Sequence, residues 1–169
     1  MTRLIGAALL VGGCAGAGLR CRRAMREKVR VLADLIAALG RIRSELVTNR
    51  TPLGELTAQL AGNGPSAARD MFAFLAAGLK MPGDEGFSAL WRCSLQRCPA
   101  LDGEGTAALE RLGAVLGRYS VGEQAAAIDR CTAELERQLR AAREKLQRDG
   151  ALAPALATAA GLVGSVLLF

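Results

Sequence analysis

The sequence predicts an all-α protein: a compact six-helix bundle with long antiparallel first and last helices, flanked by two further apolar helices at the chain ends. Three observations lead there. Of 169 residues, 51% are apolar but only 4% aromatic, so the apolar mass is mostly Leu, Ala and Val, which favours helix over sheet. Apolar residues recur at three- and four-residue intervals, and no stretch alternates with period two for long enough to propose a strand. Charge is absent from residues 4–19 and 151–169, while the segment between them holds nearly all of it.

The first uncharged stretch has 16 residues. As a helix it reaches about 24 Å, short of the roughly 30 Å of a bilayer core, so spanning needs Met1, Thr2 and a snorkelling Arg20, or local thinning. A long helix then runs from about Cys21 to Asn49, marked by Leu32, Leu35, Ile36, Leu39, Ile42 and Leu46. Thr51-Pro52 reads as an N-cap with a first-turn proline, opening a helix to about Ala61. Asn63-Gly64-Pro65 breaks it, and Ser66 is placed to cap a helix carrying Met71, Phe72, Phe74, Leu75 and Leu79.

Met81-Pro82-Gly83 is the next breaker, before a helix with Phe87, Leu90, Trp91 and Leu95. A loop from Cys98-Pro99 through Gly105 leads to a helix marked by Leu109, Leu112, Val115 and Leu116 and ended by Gly117. Ser120 and Glu123 form a capping box for the last bundle helix, whose stripe is Ile128, Cys131, Leu135, Leu139, Ala142 and Leu146. The final uncharged stretch, 19 residues, gives about 28 Å as a helix and can just span a bilayer.

Chemistry is sparsely provided. The chain has no histidine, which removes imidazole acid/base catalysis, imidazole metal ligation and the usual Ser-His or Cys-His nucleophile pairs. No glycine-rich loop ends in Lys-Ser or Lys-Thr, so a P-loop is absent. The five cysteines, Cys14, Cys21, Cys93, Cys98 and Cys131, contain no Cys-x-x-Cys pair and read as small apolar packers in a reducing compartment. The carboxylate pairs Asp84-Glu85 and Asp102 with Glu104 read as helix-start and solvated residues, and Trp91 as a core anchor. The expectation is a non-enzyme with no catalytic residue, no cofactor and no metal.

Charge placement separates two readings of the formal +6. Arg20, Arg22, Arg23 and Arg26 follow the first apolar stretch, and Arg143, Lys145 and Arg148 precede the last. Clusters beside apolar spans mark the cytoplasmic side and suit anionic headgroups. A nucleic-acid surface would want Lys and Arg interleaved with aromatics across a domain face, which six aromatic residues do not supply. The chain therefore divides into an N-terminal transmembrane helix (1–19), a cytoplasmic helical domain (20–150) and a C-terminal transmembrane helix (151–169). A rival reading takes Val11-Gly12-Gly13-Cys14 as a lipoprotein signal, giving an exported helical domain acylated at Cys14.

Several segments carry a family resemblance. Glu45-Leu46 followed by Thr51-Pro52-Leu53-Gly54-Glu55 resembles the Glu-(Ile/Leu)…Thr-Pro-Leu-Pro-Glu segment of the stage III sporulation protein AB family. Ala89-Leu90-Trp91 is similar to its Trp-containing helix, and Leu116-Gly117-Arg118-Tyr119-Ser120 with Glu123-Gln124 resembles its Leu-Gly-x-Ser-Asp…Gln stretch. The resemblance covers nearly the whole chain. Gly54 departs from the family's Pro, and Tyr119-Ser120 from its Ser-Asp, though Ser can cap a helix as Asp does.

The resemblance implies a mother-cell membrane protein of endospore formers, in the complex linking mother cell and forespore. It also implies a cytoplasmic domain similar to that of the type II secretion platform protein, docking an ATPase of the same operon beside other membrane subunits. It implies no catalytic residue; the expectation of no nucleic-acid partner comes from the charge placement, and an oligomer is left open. Glu45, Thr51, Pro52, Leu53, Glu55, Trp91, Leu116, Gly117 and Gln124 are the residues it singles out, as structural or partner-facing positions.

Overall fold

The computed structural model describes the backbone of residues 2–65, 67–81, 86–98 and 100–166, and side chains between residues 20 and 148 within those ranges. Among the described residues there are six helices and no strand: α1 (Thr2–Thr48), α2 (Leu53–Asn63), α3 (Arg69–Lys80), α4 (Phe87–Leu95), α5 (Gly103–Val115) and α6 (Val121–Val166). The sequence pattern predicts eight. Its two apolar end helices are instead continuous with α1 and α6, because no proline, capping residue or adjacent glycine pair interrupts the chain near residue 20, and Gly150 alone is too weak a breaker.

The chain forms two compact units. One contains residues 28–140; the other joins residues 1–27 to residues 141–169. Within the first unit, two cross-links give the relative direction of α1 and α6. Arg43, late in α1, pairs with Asp129, early in α6, at 2.6 Å. Lys28, far earlier in α1, pairs with Asp102. With its amide oriented to satisfy both neighbours, Gln138 of α6 donates to the same Asp102 carboxylate and accepts from the Gly105 N–H, each at 3.3 Å. The two helices are therefore antiparallel in this unit, as the sequence predicts.

The core follows the predicted stripes. Leu32, Leu35, Leu39 and Ile42 of α1 are at most 2% exposed, as are Ile128 and Leu135 of α6. Ile36 is only partly buried, whereas Val31 and Ala38 are buried, so the stripe is wider than the sequence pattern suggested. The short helices complete the core with Met71, Phe72 and Leu75 from α3, Trp91 from α4, and Leu109 and Leu112 from α5.

Helix ends differ from expectation where tertiary partners intervene. α2 begins after Pro52, whose extended backbone (φ −59°, ψ 141°) makes it the N-cap itself, because the Thr51 hydroxyl is turned to Glu45 instead. α2 also runs two residues beyond Ala61, to Asn63. α3 starts only at Arg69, and the expected cap Ser66 lies outside the described residues, as do Asp84, Glu85 and the Pro82-Gly83 breaker. The neighbouring Ala67 N–H is instead satisfied by Asp34 of α1, at 2.8 Å. α5 starts two residues before the expected loop end, since Asp102 caps it by accepting the Gly105 N–H at 2.9 Å. It stops at Val115, before Leu116 turns extended and Gly117 adopts φ +78°.

The thiols split into two pairs. Cys98 and Cys131 are buried, as packing residues should be, but Cys21 and Cys93 are exposed, which corrects the reading of all five as packers. Cys14 lies outside the residues with described side chains. Burial pushes the Cys131 thiol up to about 11, with Glu134 adding to the rise and Arg111 opposing it; burial and then the Asp70 charge raise Cys98. The thiolate is the reactive species. In the folded protein near pH 8, iodoacetamide should therefore modify Cys21 and Cys93 well before Cys98 and Cys131, a result read by peptide mass spectrometry at successive times.

Candidate functional site

The residues singled out by the sequence fall into two turns and a core. In the turn between α1 and α2, one carboxylate oxygen of Glu45 accepts from the Asn49 amide at 2.7 Å and the Thr51 hydroxyl at 3.1 Å. Arg50 between them has φ +53°, a left-handed conformation uncommon for a residue with a side chain. Two side chains on one acceptor hold the chain through that reversal. Pro52 then presets the first helical turn, with its carbonyl accepting from Glu55 N at 3.0 Å and Leu56 N at 3.1 Å. The Glu55 side chain is exposed and receives only the Gln59 amide, at 3.4 Å. Replacing Glu45 by alanine should cost about 1 kcal/mol, the loss of a pair of partly exposed hydrogen bonds, and lower the melting temperature by a few degrees. Thermal unfolding of the variant checks this.

The second turn joins α5 to α6. Gln124, buried, accepts from the Gly117 N–H at 3.1 Å and donates to the Tyr119 carbonyl at 2.7 Å, so one amide closes the reversal from within α6. Ser120 and Glu123 form the predicted capping box: the Glu123 carboxylate accepts from the Ser120 hydroxyl at 2.7 Å and the Ser120 N–H at 3.0 Å. The hydroxyl bond, followed by the backbone bond, holds the Glu123 carboxyl below its ordinary value. The two turns also meet. A Cβ built on Gly117 would lie 3.3 Å from Leu53 at the start of α2, and Leu116 beside it is 1% exposed. The sequence motifs, separated by more than sixty residues, thus form one end of the 28–140 unit.

Trp91 lies in the core, as expected for an anchor. It is 1% exposed, its indole N–H donates to the Leu109 carbonyl at 2.8 Å, and Phe87 stacks on it at 5.8 Å. Phe72 meets it edge-on at 6.5 Å. Sequence reasoning did not find the tie at the other end of the unit. There Asp102 caps α5, pairs with Lys28 and meets Gln138. Burial pushes its carboxyl up, but the Lys28 bond, the Gly105 N–H and the lysine charge outweigh that and hold it below the usual carboxylate range. A helix-start acid was legible there; its partners come from helices far away in sequence.

The basic residues flanking the apolar stretches, Arg20, Arg22, Arg23, Arg26, Arg143, Lys145 and Arg148, are all exposed. They belong to the unit of residues 1–27 and 141–169, which holds eight basic residues against three acidic ones, a net +5. Residues 28–140 hold fourteen against thirteen, a net +1. The basic excess is therefore confined to the unit that also contains both uncharged stretches. Among the described residues no helix is long and apolar enough to cross a membrane, and the two stretches read as spans lie outside the residues with described side chains. Also among the described residues, no group of three acidic or cysteine side chains is placed to hold a metal.

These features define a class: an all-α domain of near-balanced charge whose first and last helices extend into a second, strongly basic unit with uncharged ends. The chain belongs to the stage III sporulation protein AB family, whose model matches residues 3–169. A solved structure described as stage III sporulation protein AB has a TM-score of 0.64 to this chain at 22% identity, covering 72% of this chain and 97% of its own, so the two share the fold. No curated protein sequence matches the chain.

Proposed function

We propose that this protein is a non-enzymatic platform subunit of a secretion-like transenvelope complex between mother cell and forespore. Residues 4–19 and 151–169 anchor it in the mother-cell membrane around the forespore, and residues 20–150 face the cytoplasm and dock an ATPase of the sporulation operon alongside other membrane subunits. The observation that supports this most is the partition of charge. The basic excess sits on the unit with the uncharged ends, where anionic cytoplasmic headgroups would meet it. A nucleic-acid-binding domain would instead carry its excess on the folded core, and residues 28–140 are nearly neutral. Both apolar stretches continue long helices, α1 and α6.

A clean deletion should block forespore development after engulfment, and pull-down with the full-length chain should recover the ATPase; normal sporulation would defeat the proposal. Topology is tested separately with the exposed thiol of Cys93. An impermeant maleimide should leave it unmodified in intact cells and label it after permeabilisation. Labelling without permeabilisation would place this domain outside the cytoplasm, as the Cys14 lipoprotein reading requires.

A further inference from the structure

A groove runs between α5 and α6 in the 28–140 unit. Its main part has a volume of about 700 Å³, and it continues into a hollow of about 220 Å³ that shares Val115 and Arg130 with it. The floor is apolar, made by the buried Ala108, Leu112, Ala127 and Cys131. The rim carries four exposed arginines, Arg111, Arg130, Arg137 and Arg140. Three carboxylates also line it, and each is already engaged. Glu134 pairs with Arg137, Glu136 with Arg140 at 3.8 Å, and Glu123 closes the capping box with Ser120. Arg111 and Arg130 form no ion pair among the described residues. At the end of the groove Tyr119 is 55% exposed, one of the few large apolar side chains left in solvent.

We infer that this groove is a docking site for an acidic amphipathic helix of a partner subunit. An apolar floor excludes water and rewards an apolar stripe, while two guanidinium groups without carboxylate partners reward acids beside that stripe. The shape suits a helix. From Glu123 to Arg140 the groove follows α6 for about 25 Å, some five turns, and a ridge laid between two helices is the ordinary way a third one packs. Ala126 and Ala133, exposed and seven residues apart on α6, let its backbone come close. A second copy docking through this same face is disfavoured as occupant, because the three carboxylates of the face are already engaged within the chain and leave no free acid to offer Arg111 and Arg130.

The inference rests on the proposed function only in needing a partner subunit, and the experiment keeps the two apart. A photoreactive phenylalanine derivative replaces Ala133 in the full-length chain, sporulating cells are irradiated, and the cross-linked peptide is sequenced by mass spectrometry. The expected product joins Ala133's position to a segment of another protein with carboxylates flanking an apolar helical stripe. Its yield should fall roughly tenfold in the Arg111→Glu/Arg130→Glu double variant, stay near wild type with lysine at both positions, and be unaffected by Arg92→Glu on α4. The substituted side chains are exposed, and an unchanged melting temperature verifies that the fold survives. No cross-link, one to a second copy or to a basic segment, or a yield indifferent to charge reversal overturns the inference. If the cross-link is absent or indifferent to charge reversal while pull-down still recovers the ATPase, the groove inference fails and the platform reading stands. If the cross-linked acidic helix belongs to a different protein, the groove stands and ATPase docking through it does not.

Discussion

Replacing Trp91 by alanine is expected to remove about 3–5 kcal/mol of folding free energy, the largest loss of any single truncation in the 28–140 unit. The side chain is the largest one fully buried, and it gathers α3, α4 and α5 around itself through Phe72, Phe87 and the Leu109 carbonyl. Alanine would leave a cavity that α5, held at its start by the Asp102 network, cannot fully close. The measurement is thermal or denaturant unfolding of the full-length protein in detergent, with a fall in melting temperature of roughly 10 °C or more expected. Trp91→Phe separates packing from hydrogen bonding. Leu109 lies inside α5, where its carbonyl is already engaged in the helix, so losing the indole N–H should cost only about 1 kcal/mol beyond the lost volume. A melting temperature for the alanine variant within a degree or two of wild type would show that Trp91 is not the core anchor.

The same residue shows what was legible in the sequence and what was not. The spacing of Phe87, Leu90, Trp91 and Leu95 is enough to put the tryptophan on the inner face of a helix, because helical periodicity is a local property. The stripes of α1 and α6 and the Ser120–Glu123 capping box were readable for the same reason. Thr51 was misread because Ser, Thr, Asn and Asp have several competing uses near a helix start, and only the fold shows that Glu45 claims its hydroxyl. Asp34, which satisfies the Ala67 N–H, and Gln138, which meets Asp102, lie thirty or more residues from their partners, where no spacing rule reaches. The start of α5 was placed late because glycines at 103 and 105 look like loop, whereas Asp102 as a cap makes their conformational freedom irrelevant.

The charge partition was half visible. The basic clusters beside the apolar stretches were plain in the sequence, but the domain boundary drawn there, at residues 20 and 150, put most of the net charge on the central segment. The compact units divide at residues 27/28 and 140/141, and the few residues between those points and residues 20 and 150 carry nearly all the excess with the apolar ends. The positive charge is therefore a property of the extensions. What remains on the helical core is a net +1 from fourteen basic and thirteen acidic residues, the two arginines over the apolar groove among them.

Gly113 provides the second large effect, and a sign reversal by which to recognise it. A glycine inside a helix ordinarily destabilises it by about 0.5–1 kcal/mol relative to alanine, so Gly113→Ala should be favourable on propensity alone. Here a Cβ would fall 2.1 Å from Trp91 Cδ1, with Cγ at 2.7 Å and Nε1 at 2.8 Å. Those atoms belong to a flat ring already wedged between Phe72 and Phe87, so the ring cannot step aside without opening the α3–α4 contact. Overpacking of this kind typically costs 1–3 kcal/mol, and the closeness of the approach puts the expected loss at about 3 kcal/mol, well above the propensity gain. In a Trp91→Ala background the obstacle is gone and the added methyl group lies in the cavity. There Gly113→Ala should be neutral or stabilising by about 1 kcal/mol, giving a coupling of roughly 3 kcal/mol between the two positions in a double-mutant cycle. Simple additivity of the two losses would mean that the glycine is not there for the tryptophan, and that another constraint keeps α5 free of a side chain at that position.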